Sequence, residues 1–122
     1  MAQWKWSVSG STWADATAQT ARTGACRLHS ITVVTQSDQG VGYVQGWDSI
    51  TATAGTTAPD LAFLLPVYTT QTKRRHKVIF ANGGIVCATG VQLFVSTAAG
   101  GATAVTTTAI PDDVIVDYTP LA

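Results

Sequence analysis

Residues 76–97 read HKVIFANGGIVCATGVQLFVST, two apolar runs of strand length with the pair Asn82-Gly83 between them and Gly90 breaking the second run. Asn and Gly both accept positive φ, so an NG pair between strand-like runs is a strong short-range hairpin signal. It predicts Phe80 and Ile85 on paired strands. Gly90 predicts a short strand from Ile85, a bend or bulge, and then VQLFVST as a separate strand.

Working outward, the same punctuation recurs. Upstream stand CRLHSITVVT, the turn-rich QSDQG, VGYVQGWDSI, TATAGTTAPD and LAFLLPVYTT, and downstream the loop AAGGATAVTTTAIPDD leads to VIVDY. Turn residues part short apolar runs at the intervals typical of sandwiches and barrels, giving seven or eight strands. Pro66 makes LAFLLPVY an edge strand or ends it there. In VGYVQGWD, Val41, Tyr43, Gln45 and Trp47 share one face, while Gly42, Val44 and Gly46 leave the other nearly bare. A partner's backbone approaching closely is the cover this pattern suggests.

Composition agrees. Thr (20), Ala (18), Val (13) and Gly (11) make up half of the 122 residues, and all seven acids are Asp. Thr and Val are stiff at χ1 and suit a pleated surface, whereas Glu, a good helix former, is missing altogether. Charged residues are 11% of the chain and seven basic side chains balance seven acidic ones, which excludes the global field of a dedicated polyanion binder. No apolar run approaches the length that spans a bilayer, and MAQWKWSVSGSTW lacks the charged-then-apolar order of a secretory leader. Cys26 and Cys87 have neither metal-ligand nor thiol-redox spacing and read as small buried hydrophobes, free in a reducing compartment.

Residues 1–24 hold Trp4, Trp6 and Trp13 without a sustained period, which reads as an arm or first edge strand ahead of a β-sandwich domain over 25–122. Trp4 and Trp6 project to one face of an extended segment. They either cap this domain's own core or dock on a neighbouring chain, where Trp is a favoured anchor.

The order of a lead ending in TGACRLHSITVVT, then GTTAP, LLPV, FANGGIVCATGVQLFVST and a closing VIVDY resembles small virion proteins of tailed bacteriophages over roughly residues 22–118. That resemblance implies an antiparallel β-sandwich of jelly-roll type. It further implies a capsid decoration or cement role, commonly as a homotrimer on the major capsid protein, with related proteins placed on tails or fibres.

Few residues suggest chemistry. His29 and His76 lie 47 positions apart, and neither a nucleophile elbow, a P-loop, HExxH nor CxxC occurs. Asp112, Asp113 and Asp117 as a calcium site is a reading that solvated loop aspartates explain better, and nothing in the spacing favours Asp48 as a triad member. A glycan platform would use Trp47, Tyr43 or Tyr68, yet Tyr43 and Trp47 alternate with Val41 as a core face does. The one charge concentration is Lys73, Arg74, Arg75, His76 and Lys77. In a strand Lys73, Arg75 and Lys77 face one side and Arg74 and His76 the other. A charged strand start that blocks edge aggregation and a docking site for an acidic shell compete here, and nucleic acid is disfavoured by the neutral balance and the lack of interleaved aromatics.

The expectation is therefore an all-β, antiparallel β-sandwich of jelly-roll type with an extended N-terminal arm. It is not an enzyme and needs no cofactor or metal. It serves as a homotrimeric capsid decoration protein, assembled in the host cytoplasm and carried on the virion surface without membrane contact. Trp4, Trp6, Trp13, Lys73, Arg74, Arg75 and Lys77 form its interfaces. The alternative is a receptor- or glycan-binding module of a phage tail fibre.

Overall fold

The computed structural model describes residues 1–7, 18–67, 73–103, 105 and 110–121. Among these it contains nine strands and no helix: β1 (Ala2–Ser7), β2 (Gln19–Thr23), β3 (Cys26–Val34), β4 (Tyr43–Trp47), β5 (Leu61–Leu64), β6 (Arg75–Ile79), β7 (Ile85–Cys87), β8 (Gly90–Ser96) and β9 (Asp113–Pro120). One antiparallel sheet runs β1-β9-β3-β6, with β7 also on β3, and the other runs β2-β8-β4-β5. They pack face to face as a β-sandwich. β1 lies over β2, and the Phe63 ring of β5 meets His76 of β6 at a centroid distance of 6.4 Å, so β5 and β6 share the opposite border.

The core is made of small β-branched and aliphatic side chains: Cys26, Leu28, Ile31 and Val33 of β3, Val114 and Val116 of β9, Val91, Leu93 and Val95 of β8, and Val44 of β4. In β3 the buried parity changes between Leu28 and Ile31. A bulge between Leu28 and Ser30 against β9 absorbs that change, so that both halves of the strand turn their apolar residues inward.

The Asn82-Gly83 turn forms, with φ of 57° and 81°, but it does not close a hairpin. β6 pairs with Val34 back to Ser30 and β7 with Leu28 back to Cys26, so both run the same way along β3 and residues 80–84 are a tight excursion in one interrupted strand. β3 is nine residues long and offers partners on both sides of its bulge, which outcompetes a three-residue hairpin arm. Gly84 lets the excursion close: at φ +104° its Cβ position lies 2.5 Å from the Leu28 carbonyl oxygen, where no side chain fits. The break at Gly90 is as expected, since β7 ends at Cys87 and β8 begins in the other sheet. β5 is an edge strand that stops before Pro66.

The bare glycine face of β4 is not open to another chain. A Cβ on Gly42 would meet Val105 at 2.9 Å and Leu65 at 3.0 Å, and one on Gly46 would meet Leu61 at 2.9 Å, so large side chains of the same chain fill the space. The opposite face of this sheet is buried too. Gln45, Trp47, Gln92, Phe94 and Ser96 are all buried there, under the segments 48–60 and 97–103. Trp47 Nε1 donates to the Thr57 carbonyl at 3.0 Å, Gln45 Nε2 to the Gly101 carbonyl at 2.8 Å, and the Ala52 N–H to Gln92 Oε1 at 2.8 Å. These loops form a third layer.

Of residues 1–24, the described stretches 1–7 and 18–24 belong to the borders of the sandwich. β1 pairs with β9 from Ala2↔Tyr118 to Ser7↔Asp113, and β2 pairs with β8. The extended arm is thus the edge of each sheet wherever it is described.

Candidate functional site

The basic run sits at the start of β6, the border strand of its sheet. Lys73 forms an ion pair with Asp112, whose carboxylate holds the ammonium above its ordinary pKa. Arg74 is tied by its backbone: its N–H donates to Thr35 Oγ1 at 2.9 Å, and its carbonyl accepts the Thr35 N–H at 2.8 Å. These contacts fix the entry into β6 and leave Arg75 and Lys77 as exposed cations on the outer face. His76 turns inward against Phe63. The predicted separation of Arg75 and Lys77 from His76 is what β6 displays.

Beside Lys77 on the same strand the structure exposes Ile79, and further along this border Val86, both of which the sequence places only within apolar runs of strand length. Ile79 is 71% exposed and Val86 56%. Their signal was parity: Ile79 is two positions from Lys77, and Val86 is one position from the inward Cys87.

Trp4 and Trp6 are half-buried against this chain's own core. Of the two readings for them, the intramolecular one describes their position, because β1 is hydrogen-bonded to β9 and presents alternate side chains inward. Trp13 and Tyr68 lie outside the described residues. On the outer face of the same sheet Gln3 Nε2 donates to Asp117 Oδ1 at 2.8 Å, Ser30 Oγ donates to Asp117 Oδ2 at 2.9 Å, and Lys5 stands 3.8 Å from Asp113. The Gln3 bond chiefly holds the Asp117 carboxyl below its usual range, against the opposing effect of partial burial.

The residues weighed for chemistry have structural partners. Asp48 accepts the backbone N–H groups of Ala88 and Thr89 at 2.9 Å and of Gly90 at 3.2 Å, where the chain crosses between sheets. Burial works to raise its pKa, and the three N–H bonds together overcome that and lower it. His29 Nε2 shares a hydrogen bond with Thr119 Oγ1 at 2.7 Å, with no contact to the inward His76. Asp112, Asp113 and Asp117 are held by separate partners, and no cluster of three or more metal-ligating side chains occurs among the described residues. Trp47 is 3% exposed, so its ring is not a glycan platform.

One pairing had no signal in the sequence. Cys26 and Cys87 stand directly opposite each other on β3 and β7 and are both free and buried. Burial pushes Cys87 up to about 12 and raises Cys26 as well, which makes both poor nucleophiles at neutral pH. Cys87 borders a small apolar cleft of about 80 Å³ with Leu28, Leu61, Ile85 and Leu93. The cleft's acidic residues, Asp48 and Asp60, are both engaged with backbone N–H groups.

No described helix is long and apolar enough to cross a membrane. Comparison with known proteins found no matching family model, no similar curated protein and no similar solved structure.

Proposed function

We propose that this chain is a structural protein of a tailed-bacteriophage virion, a capsid decoration protein that binds the assembled head shell as a homotrimer and stabilises it. The observation that carries the reading is the placement of the one charge concentration in a neutral, charge-poor chain. Arg75 and Lys77 stand on a sheet border beside exposed Ile79, an arrangement suited to docking on a broad surface and not to enclosing a substrate. The strand order adds support. Successive strands switch sheets at every connection except β4–β5 and β6–β7, which supports reading the sandwich as a jelly roll, an architecture frequent among viral shell and lectin domains. Fold alone does not assign function, so the border residues carry the weight.

The mechanism is stabilisation by selective binding. A ligand that recognises only the assembled shell lowers the free energy of that state and so opposes its rupture. The tail-fibre alternative has lost Trp47 as its aromatic platform, and Tyr43 is half-buried.

The test is occupancy on capsids of the Arg75→Gln, Lys77→Gln double variant. Unchanged folding with weakened, salt-sensitive occupancy is expected, together with particles three protomers in mass by light scattering. Wild-type protein found at the tail tip by electron microscopy, or undiminished occupancy of the variant, refutes the reading.

A further inference from the structure

The backbone bonds around β6 decide which of its residues face an open border. The Thr35 N–H donates to the Arg74 carbonyl at 2.8 Å and the Phe80 N–H to the His29 carbonyl at 2.9 Å, with unbroken antiparallel register between them. Alternate residues of an antiparallel strand bond to one neighbour and the others to the opposite side. Residues 74, 76, 78 and 80 therefore bond towards β3. The N–H and C=O groups of Arg75, Lys77 and Ile79 point away from it, and no described strand pairs on that side. The same three residues carry the exposed side chains, two cations and an isoleucine.

Such a border is a template for an added strand, and charge limits what can add. Antiparallel pairing of β6 with a second β6 about Lys77 would set Lys77 against its own copy, a like-charge pair directly opposite, which destabilises. The chain's other border strands offer no complement: β1 reads AQWKWS, β2 QTART and β5 LAFL, without an acid among them. Recognition of nucleic acid would want stacking rings beside the cations, and the nearest, His76 and Phe80, are half-buried.

We propose that the β6 border accepts an extended acidic segment of another protein as an added β-strand. Acidic side chains at two alternate positions lie opposite Arg75 and Lys77, and an apolar one at the next alternate position lies opposite Ile79. Main-chain bonds to Arg75, Lys77 and Ile79 supply the pairing, and the outer-face side chains set the register. Lys73 takes no part, being paired with Asp112. This deepens the docking reading by giving the partner's chemistry, and it is tested without capsids, so either can fail alone.

The probe is a short capped peptide of threonine and valine carrying aspartates at two alternate positions and a leucine at the next, compared with a peptide of identical composition whose aspartates are adjacent. Titrated into the isotope-labelled full chain, the spaced peptide should shift the amide signals of Arg75, Lys77 and Ile79, slow their hydrogen exchange and bind about tenfold more tightly than the control. Ile79→Pro removes one outward N–H and neither cation while leaving the bonds to β3 in place, and should lose about tenfold in affinity. The Arg75→Asp, Lys77→Asp variant keeps the backbone and should instead prefer a peptide with lysines at the same spacing. Equal binding by the adjacent-acid control shows general electrostatics and overturns the proposal. So does no binding at about 1 mM peptide, tighter binding of a single-stranded oligonucleotide at about 0.15 M salt, or protection of the three amides in the free chain. Loss of capsid occupancy in the Gln variant without register dependence in the peptides would sustain docking and overturn strand addition.

Discussion

Replacing Asp48 by alanine removes the acceptor for three consecutive backbone N–H groups, those of Ala88, Thr89 and Gly90, at the point where the chain leaves β7 in one sheet and enters β8 in the other. A helix-capping side chain that satisfies one such group is worth about 0.5–2 kcal/mol, and removal of a hydrogen bond to a charged group costs about 1.5–3 kcal/mol. The three bonds share one half-exposed carboxylate and water can replace part of them, so they do not add. A loss of about 2–4 kcal/mol follows, a large fraction of the ~5–15 kcal/mol that holds a domain of this size together. Asn keeps one acceptor oxygen but sets its amide N–H₂ against a backbone donor, and about half of the loss should remain. The pH dependence has a defined sign. The folded carboxyl titrates below its unfolded value of about 3.9, so its contribution is fully present above that pH and disappears as pH falls through the folded pKa. Urea unfolding followed by circular dichroism should show a lower midpoint for Asp48→Ala at neutral pH with an unchanged slope, and a gap to wild type that narrows below about pH 4. A variant within about 0.5 kcal/mol of wild type at neutral pH, or a gap that persists undiminished in acid, would refute the role of this carboxylate.

Gly84→Ala places a methyl group against the Leu28 carbonyl at positive φ and should destabilise by about 2–4 kcal/mol, whereas Gly83→Ala, with open space around it, should cost only about 1 kcal/mol of backbone strain; similar losses in thermal unfolding of the two would count against the tight excursion between β6 and β7. Trp6→Ala should cost about 2 kcal/mol, less than a fully buried tryptophan, and the loss should not depend on protein concentration in chemical unfolding. A strong concentration dependence would return β1's tryptophans to a neighbouring chain. Because burial raises Cys87 to about 12, its stabilisation is intact below the unfolded thiol pKa and is lost as pH rises towards the folded one, at up to about 1.4 kcal/mol per pH unit. Cys87→Ala should flatten the alkaline limb of a stability profile, and an unaltered limb would exclude the thiol as its cause.

The sandwich was legible because its border and core rules are local. The buried parity of β3, Cys26 and Leu28 before the bulge and Ile31 and Val33 after it, is written in the residues themselves, and so are the end of β5 before Pro66 and the break at Gly90. What misled was a local signal with two global solutions. Asn82-Gly83 demands a turn with positive φ but says nothing about whether the strands on either side pair with each other or both with β3. The glycine face of β4 had the same ambiguity. A missing Cβ marks a close approach without identifying what approaches, and here Leu61, Leu65 and Val105 of the same chain do so. Alternation with Tyr43 and Val41 signalled that Trp47 is buried, but its cover was illegible for a further reason: the loops over Trp47 and Gln45 carry no period, and their hydrogen bonds come from backbone carbonyls, which every sequence supplies.

The candidate site divides in the same way. Composition located the basic run, and period two assigned Arg75 and Lys77 to one side and His76 to the other, because both are properties of a single strand. Whether those cations mean anything depends on what lies beyond the strand, and that is a property of the sheet. On a central strand they would sit on a flat outer face with every backbone group paired. On a border their own N–H and C=O groups point outward as well, and two kinds of recognition coincide on the same three residues, Arg75, Lys77 and Ile79. Sheet order arises from pairings such as Val34↔Arg75, 41 positions apart in the chain, whose loop-closure cost leaves no local trace. The exposed Ile79 follows from the same fact. The apolar run by itself leaves no signal of its exposure, whereas beside Lys77 on a border strand it is the apolar member of a surface whose outward backbone groups no described strand pairs.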